Sequence, residues 1–231
     1  PNAITYVCIL KACGSIGAID KGKHIHEEIM SMEFLDKDVV LGNALVDMYA
    51  KCGVLEIAKQ VFERLPCRDV VSWSTLISGY TQQGQYEKAF NCFERMQGEG
   101  ISPNEITFLS VLTAWSHAGL LDRAELLYTD MSKKYGITPS IEHHTCMLMI
   151  LGSGGHFEKA MEVINVMPSC DNLQVWLVLL GACQKWGDLQ LGRRVFEHVV
   201  ELDEMHGSAY VCMGNIYAAP SMQEDVERLE E

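Results

Sequence analysis

The chain has 231 residues, 48% of them hydrophobic, and carries 18 Lys+Arg against 31 Asp+Glu for a formal net charge of -13. That apolar content supports a substantial core, either in one large domain or in a stack of small units. The acidic balance argues against a protein that coats phosphate backbones without selectivity, because such binding draws on an excess of Lys and Arg. It leaves room for a groove that reads bases locally. The acid is also uneven, with eight acidic residues and one basic residue, Arg228, from Glu201 to Glu231. The nine cysteines show no CxxC spacing, which points to free thiols in a reducing compartment. No apolar run is long enough for a transmembrane helix, so no membrane partner is expected.

Internal repetition organises the chain. Pro1-Asn2 reads as the end of a preceding repeat. AITYVCILKACGSIGAIDKGKHIHEEI opens a first unit, 3–38. VVLGNALVDMYAKCGVLEIAKQVFERLP opens a second, 39–69, and VVSWSTLISGYTQQGQYEKAFNCFERM a third, 70–104. EITFLSVLTAWSHAGLLDRAELLYTDM opens a fourth, 105–140, and aligns with the first unit 102 residues earlier. Further units span 141–172, 173–206 and 207–231. Gly17, Gly53, Gly84, Gly119, Gly155 and Gly187 each stand between two stripes of helical spacing, where a left-handed glycine closes a helix. Pro66, Pro103, Pro139 and Pro168 end the second helix or fall in the link beyond it. Ser72 and Thr107 stand where a cap or first-turn hydroxyl is useful. Ala58, Ala89, Ala124 and Ala160 recur at one register position, with Gly22 and Gly192 in its place elsewhere, so the two helices of a unit can approach closely. The unit is helix, tight turn, helix, linker. One such hairpin cannot bury its own apolar faces, so an all-α solenoid is predicted, an α–α superhelix of antiparallel helix-turn-helix repeats.

DVVSWSTLISGYTQQGQYEKAFNCFERMQGEGISPNEITF resembles a whole unit of the pentatricopeptide repeat family, and NALVDMYAKCG and IEHHTCMLMILGSGGHFEKAMEVINVMP look like its short variants in plant organelle proteins. The resemblance covers essentially the whole chain and matches the subclass that mixes long, short and standard units. It implies a right-handed superhelix, with long-type units at 3–38 and 105–140, short-type units at 39–69 and 141–172, and a standard unit at 70–104. Residues 173–206 and 207–231 look like the extension motifs that follow the last repeat in factors directing cytidine-to-uridine editing of organelle transcripts. The last unit departs from pattern, with Pro220-Ser221 where family members carry Ala-Gly.

By that resemblance, a polar residue in the first helix and one at the end of the unit contact one base per repeat. The pairs here are Asn43 with Asp69, Ser74 with Asn104, and Thr145 with Asn172. Amide, hydroxyl and carboxylate groups can match a Watson–Crick edge. The family pattern implies a pyrimidine, most often uridine, for the first pair and adenosine for the other two. Val7 with Lys37 or Asp38, and Leu109 with Ser140, offer no matching side-chain pair, so those units act as weak readers or spacers. The implied footprint is 5′-any, pyrimidine, A, any, A-3′. Val40, Val71 and Glu142 would flank the bases, the valines by apolar sandwiching. Lys11, Lys51 and Lys185, near first-helix ends, are candidates for phosphate contact.

Catalytic signatures are absent from the sequence. The zinc deaminase pattern needs HxE and a later CxxC, and no CxxC occurs anywhere in the chain. The histidine clusters His24-Ile25-His26 and His143-His144 lack metal-ligand spacing and read as surface or groove-edge residues. Trp73 and Trp176 read as core. The expectation is a non-enzymatic binder of single-stranded RNA in a mitochondrion or chloroplast, with no cofactor and no small-molecule substrate. Any editing-complex protein would dock on residues 173–231. The same scaffold could instead serve RNA processing, splicing or stability, or bind protein without RNA.

Overall fold

The computed structural model describes residues 2–32, 38–167 and 172–230. Every regular element among the described residues is a helix: α1 (Ala3–Ile16), α2 (Ile19–Ser31), α3 (Val39–Lys51), α4 (Leu55–Arg64), α5 (Val70–Gln82), α6 (Tyr86–Gly98), α7 (Glu105–Ala118), α8 (Leu121–Lys133), α9 (Ile141–Ser153), α10 (Phe157–Asn165), α11 (Leu173–Trp186), α12 (Leu189–Leu202) and α13 (Gly207–Glu230). The six predicted closing glycines all take positive φ, between 68° and 78°. At Gly17 the left-handed residue sends its N–H back to the Cys13 and Gly14 carbonyls and ends α1. Pro66, Pro103 and Pro139 lie in links; Pro168 falls outside the described residues.

The helices form two compact units. One holds Pro1–Ala114 with Met131–Ile137; the other holds Trp115–Asp130 with Thr138–Glu231. In the first, α1, α3 and α5 pack side by side and each pairs with its own second helix, α2, α4 or α6. In the second, α9, α11 and α13 pack in the same way, with α10 and α12 as the paired helices. Each unit is thus a stack of antiparallel helix pairs, and the all-α helical-repeat architecture is the one predicted. The second helices α4, α10 and α12 are strongly amphipathic, while the first helices are apolar on more than one side because they touch both a partner and two neighbours.

Packing follows the stripes. Trp73 on α5 is fully buried and meets Phe62 on α4 edge to face, with ring centroids 4.7 Å apart. Trp176 is buried beneath the His198 ring in the second unit. Ala58, Ala89, Ala124 and Ala160 are all buried. At Gly22 a Cβ would lie 2.5 Å from the sulfur of Met48, so the space a larger residue would need is already filled.

Candidate nucleic-acid interface

Each first helix needs its leading N–H groups satisfied, and the residue before it does this. Asn2, Asp38, Asp69 and Asn172 cap α1, α3, α5 and α11 with a side-chain oxygen. Asn104 does the same for α7, accepting from Thr107 N at 2.9 Å. The residue that ends one unit is therefore the residue that starts the next helix. Its side chain is held at the seam between neighbouring first helices.

Two of the three predicted pairs meet there. Asn43 on α3 donates from Nδ2 to Asp69 Oδ1 at 3.5 Å. Asp69 Oδ1 also accepts from Ser72 N at 2.8 Å and from the Ser72 hydroxyl at 2.9 Å. Burial would raise the Asp69 pKa, but these bonds from Ser72 and Asn43 outweigh it and hold the carboxyl below its ordinary value. Asp69 is thus ionised at neutral pH and only accepts. Asn43 is buried, and its Oδ1 has no partner among the described residues. In the next pair, Ser74 on α5 lies 3.2 Å from Asn104 Oδ1, 2.6 Å from the Thr107 hydroxyl, and 2.7 Å from the carbonyl of Val70, to which it donates. Asn104 spends Oδ1 on the cap.

The third pair lies in the second unit. The Thr145 hydroxyl donates to Ile141 O at 2.8 Å, and Asn172 Oδ1 accepts from Gln174 N at 3.0 Å. Each is tied to its own helix. Of the remaining units, Val7 is half-buried on α1 and Asp38 caps α3, while Lys37 lies outside the described residues. Leu109 is half-buried on α7, and Ser140 precedes α9.

The positions expected to flank the bases are exposed. Val40 is 65% and Val71 50% exposed, although both are apolar. The sequence reading missed two equivalents at the second residue of a first helix, Ile4 and Ile106, exposed at 74% and 60%. Their shared register with Val40 and Val71 was the available signal. Val71, Ser74 and Ile106 line one groove of about 150 Å³, together with Asp47, Lys51 and Gly79. Glu142, the flanking residue in the second unit, is exposed; the Ser140 hydroxyl donates to it at 2.6 Å and helps hold its carboxyl below the ordinary value.

The lysines are placed differently from one another. Lys11 is exposed on α1. Lys51 sits in the groove, paired with Asp47 at 2.8 Å. Lys185 donates to Ser153 O at 2.9 Å and lies over the half-exposed ring of Trp186.

The histidines need a correction. His143 and His144 are buried, where a surface or groove-edge position was expected. His143 is the third residue of α9 and completes a capping box, its Nδ1 accepting from Ser140 N at 3.2 Å. It stands in the register of Ser72 and Thr107. His144 bonds through Nδ1 to the Tyr128 hydroxyl. Both rings therefore replace backbone or hydroxyl partners inside the stack. No group of three or more His, Cys, Asp or Glu among the described residues could hold a metal ion.

Comparison with known proteins agrees with this architecture. Sequence models described as the PPR repeat family and the PPR repeat match residues 68–117, and residues 43–70, 106–135 and 142–172, respectively. The Arabidopsis thaliana pentatricopeptide repeat-containing protein At4g14820 is 38% identical over 229 residues, 99% of this chain and 32% of that protein. Its compatriot CRR2, chloroplastic, is 39% identical over 230 residues, 100% of this chain and 35% of that protein. The chain thus spans about a third of the length of these relatives. The crystal structure of the pentatricopeptide repeat protein PPR10 in complex with an 18-nt psaJ RNA element superposes with a TM-score of 0.72 at 19% identity, covering 98% of this chain and 34% of that one, a likeness of fold. Repeat register, helix-pair architecture and family match agree: the chain belongs to the plant-type pentatricopeptide repeat family.

Proposed function

We propose that the chain binds single-stranded RNA with base selectivity, one nucleotide per polar pair. The observation that carries this reading is the Ser74–Asn104 pair, in hydrogen-bond contact at the seam of two first helices, with exposed Val71 and Ile106 lining the same groove. The chemistry then differs from pair to pair. Ionised Asp69 offers an acceptor and suits the N3–H of uridine. Asn104 offers an amide donor and suits the N1 acceptor of adenosine. Apolar side chains above and below a base give stacking that tolerates any base, so the polar pair decides identity. The complex of PPR10 with RNA supports the same use of this fold. The test is binding to short RNAs that vary at one nucleotide, at a fixed salt concentration. Wild type is expected to prefer a pyrimidine at the nucleotide facing Asn43 and Asp69. The double variant Asn43→Ser with Asp69→Asn is expected to prefer adenosine there. Equal affinity of folded wild type for all four bases would sink the reading.

The finer reading is that these repeats select the site for cytidine-to-uridine editing in a mitochondrion or chloroplast, while residues 173–231 dock editing proteins. The chloroplastic and mitochondrial designations of relatives support an organellar setting. Trp186, Met205 and Val211 are large apolar side chains left exposed within that segment, each available for contact with a protein. In the full-length protein, Val211→Asp is expected to abolish editing at the target while RNA affinity stays unchanged. Retained editing would remove the docking role.

A further inference from the structure

We propose that Ser72 and Thr107, the third residues of α5 and α7, are positioning residues that determine which hydrogen-bonding edge the preceding cap residue presents to a base. This rests on the base-reading function above. An asparagine side chain can offer either its oxygen or its nitrogen by rotating its amide half a turn, so something must choose.

At Asn104 the choice is made by three contacts with one neighbour. Thr107 N donates to Oδ1 at 2.9 Å, the Thr107 hydroxyl sits 2.9 Å from the same oxygen, and Asn104 N donates to that hydroxyl at 3.2 Å. The reversed amide would press its NH2 group against the Thr107 N–H and forfeit the cap. The Thr107 hydroxyl also lies 2.6 Å from Ser74 Oγ. One buried hydroxyl therefore lies within hydrogen-bond distance of both Ser74 and Asn104. Thr107 is fully buried and has no access to a base itself.

The neighbouring seam repeats the device with other chemistry. The Ser72 hydroxyl donates to Asp69 Oδ1 and accepts from Asp69 N at 3.3 Å. Asn43 Nδ2 converges on the same oxygen. That oxygen is saturated, and Oδ2 is left without a side-chain partner, ready to accept from a ligand. The position is polar in the unit that follows as well, where His143 bonds to Ser140.

The experiment measures affinities for RNAs that differ only at the nucleotide facing Ser74/Asn104 or only at the one facing Asn43/Asp69. Thr107→Val removes the hydroxyl and keeps the shape and the backbone cap. Its adenosine preference at the first nucleotide is expected to fall about tenfold, with the preference at the second unchanged. Thr107→Ser should restore it. Ser72→Ala should give the converse pattern, and it carries the test if Thr107→Val does not fold. Unchanged preferences in both variants would overturn the positioning role and leave base reading standing. So would a weakening that is uniform across all RNAs, since it marks a purely structural residue. Wild type without any preference would remove base reading, and this inference with it.

Discussion

At the residue scale, the same side chains cap helices and face the groove, and this sharing limits what each can offer. A free carboxylate has two acceptor oxygens, but Asp69 commits one of them to the start of α5. The buried histidines illustrate a second limit. Burial, with the neighbouring His143 charge adding to it, lowers the His144 pKa below 6.5, and burial lowers that of His26 likewise. A folded-state pKa below the unfolded one means the unfolded chain takes up more protons as pH falls. The stability from these neutral rings is therefore complete above the unfolded value and is lost as pH drops through 6.5 toward the folded value. The melting temperature is expected to decline between about pH 7.5 and pH 5.5, and His144→Phe should make that decline shallower. A profile identical to wild type would show that His144 does not carry the effect.

At the scale of the element, neighbouring first helices touch through one recurring contact. Counted from the start of each helix, the twelfth residue faces the tenth residue of the next. Gly14 meets Met48, Ala50 meets Gly79, and Gly152 meets Ala182. In the last two contacts the alanine and glycine have traded places. A Cβ on Gly79 would come 2.6 Å from that of Ala50, closer than packed carbons tolerate. Gly79→Ala is expected to destabilise by about 1–3 kcal/mol despite alanine's better helix propensity. Adding Ala50→Gly reproduces the arrangement at Gly152 and Ala182 and should recover most of the loss. Thermal denaturation of the two single variants and the double variant reads this directly. A neutral single variant would show that α3 and α5 can move apart freely.

For the molecule as a whole, net charge sets how RNA can be held. With a formal charge of -13, long-range attraction to phosphate is absent. Of the three candidate lysines, Lys51 is already paired with Asp47 and Lys185 is engaged with Ser153 O, which leaves Lys11 exposed for counterion release. Log affinity should therefore fall with log salt at a slope of about -0.7 to -2, equivalent to about one to three phosphates. A slope near -5 would mean that phosphates, and not the polar pairs, carry the binding. If the chain binds RNA as proposed, stacking on Val40, Val71, Ile4 and Ile106 is expected to supply a larger share of the affinity than in a basic protein.

The polar pairs came from the family resemblance; sequence alone determined the helix-pair architecture and the closing glycines. These follow from local chemistry: apolar residues at helical spacing, left-handed turns that favour glycine, and a register that repeats. Only the tertiary structure decided how those residues are used. Asn43 and Asp69 are 26 positions apart, and Ser74 and Asn104 are 30 apart; no local rule reports that each pair shares a seam or that one oxygen of each cap residue is already taken. Thr107 looked like a helpful first-turn hydroxyl, yet it touches both Ser74 and Asn104. His143 and His144 looked exposed because histidine is polar, and they are buried because a capping box and the Tyr128 hydroxyl satisfy them inside the stack. The physical reason is the same throughout. Helix formation depends on neighbours within a turn, whereas burial and hydrogen-bond partnership depend on which helices stack against each other.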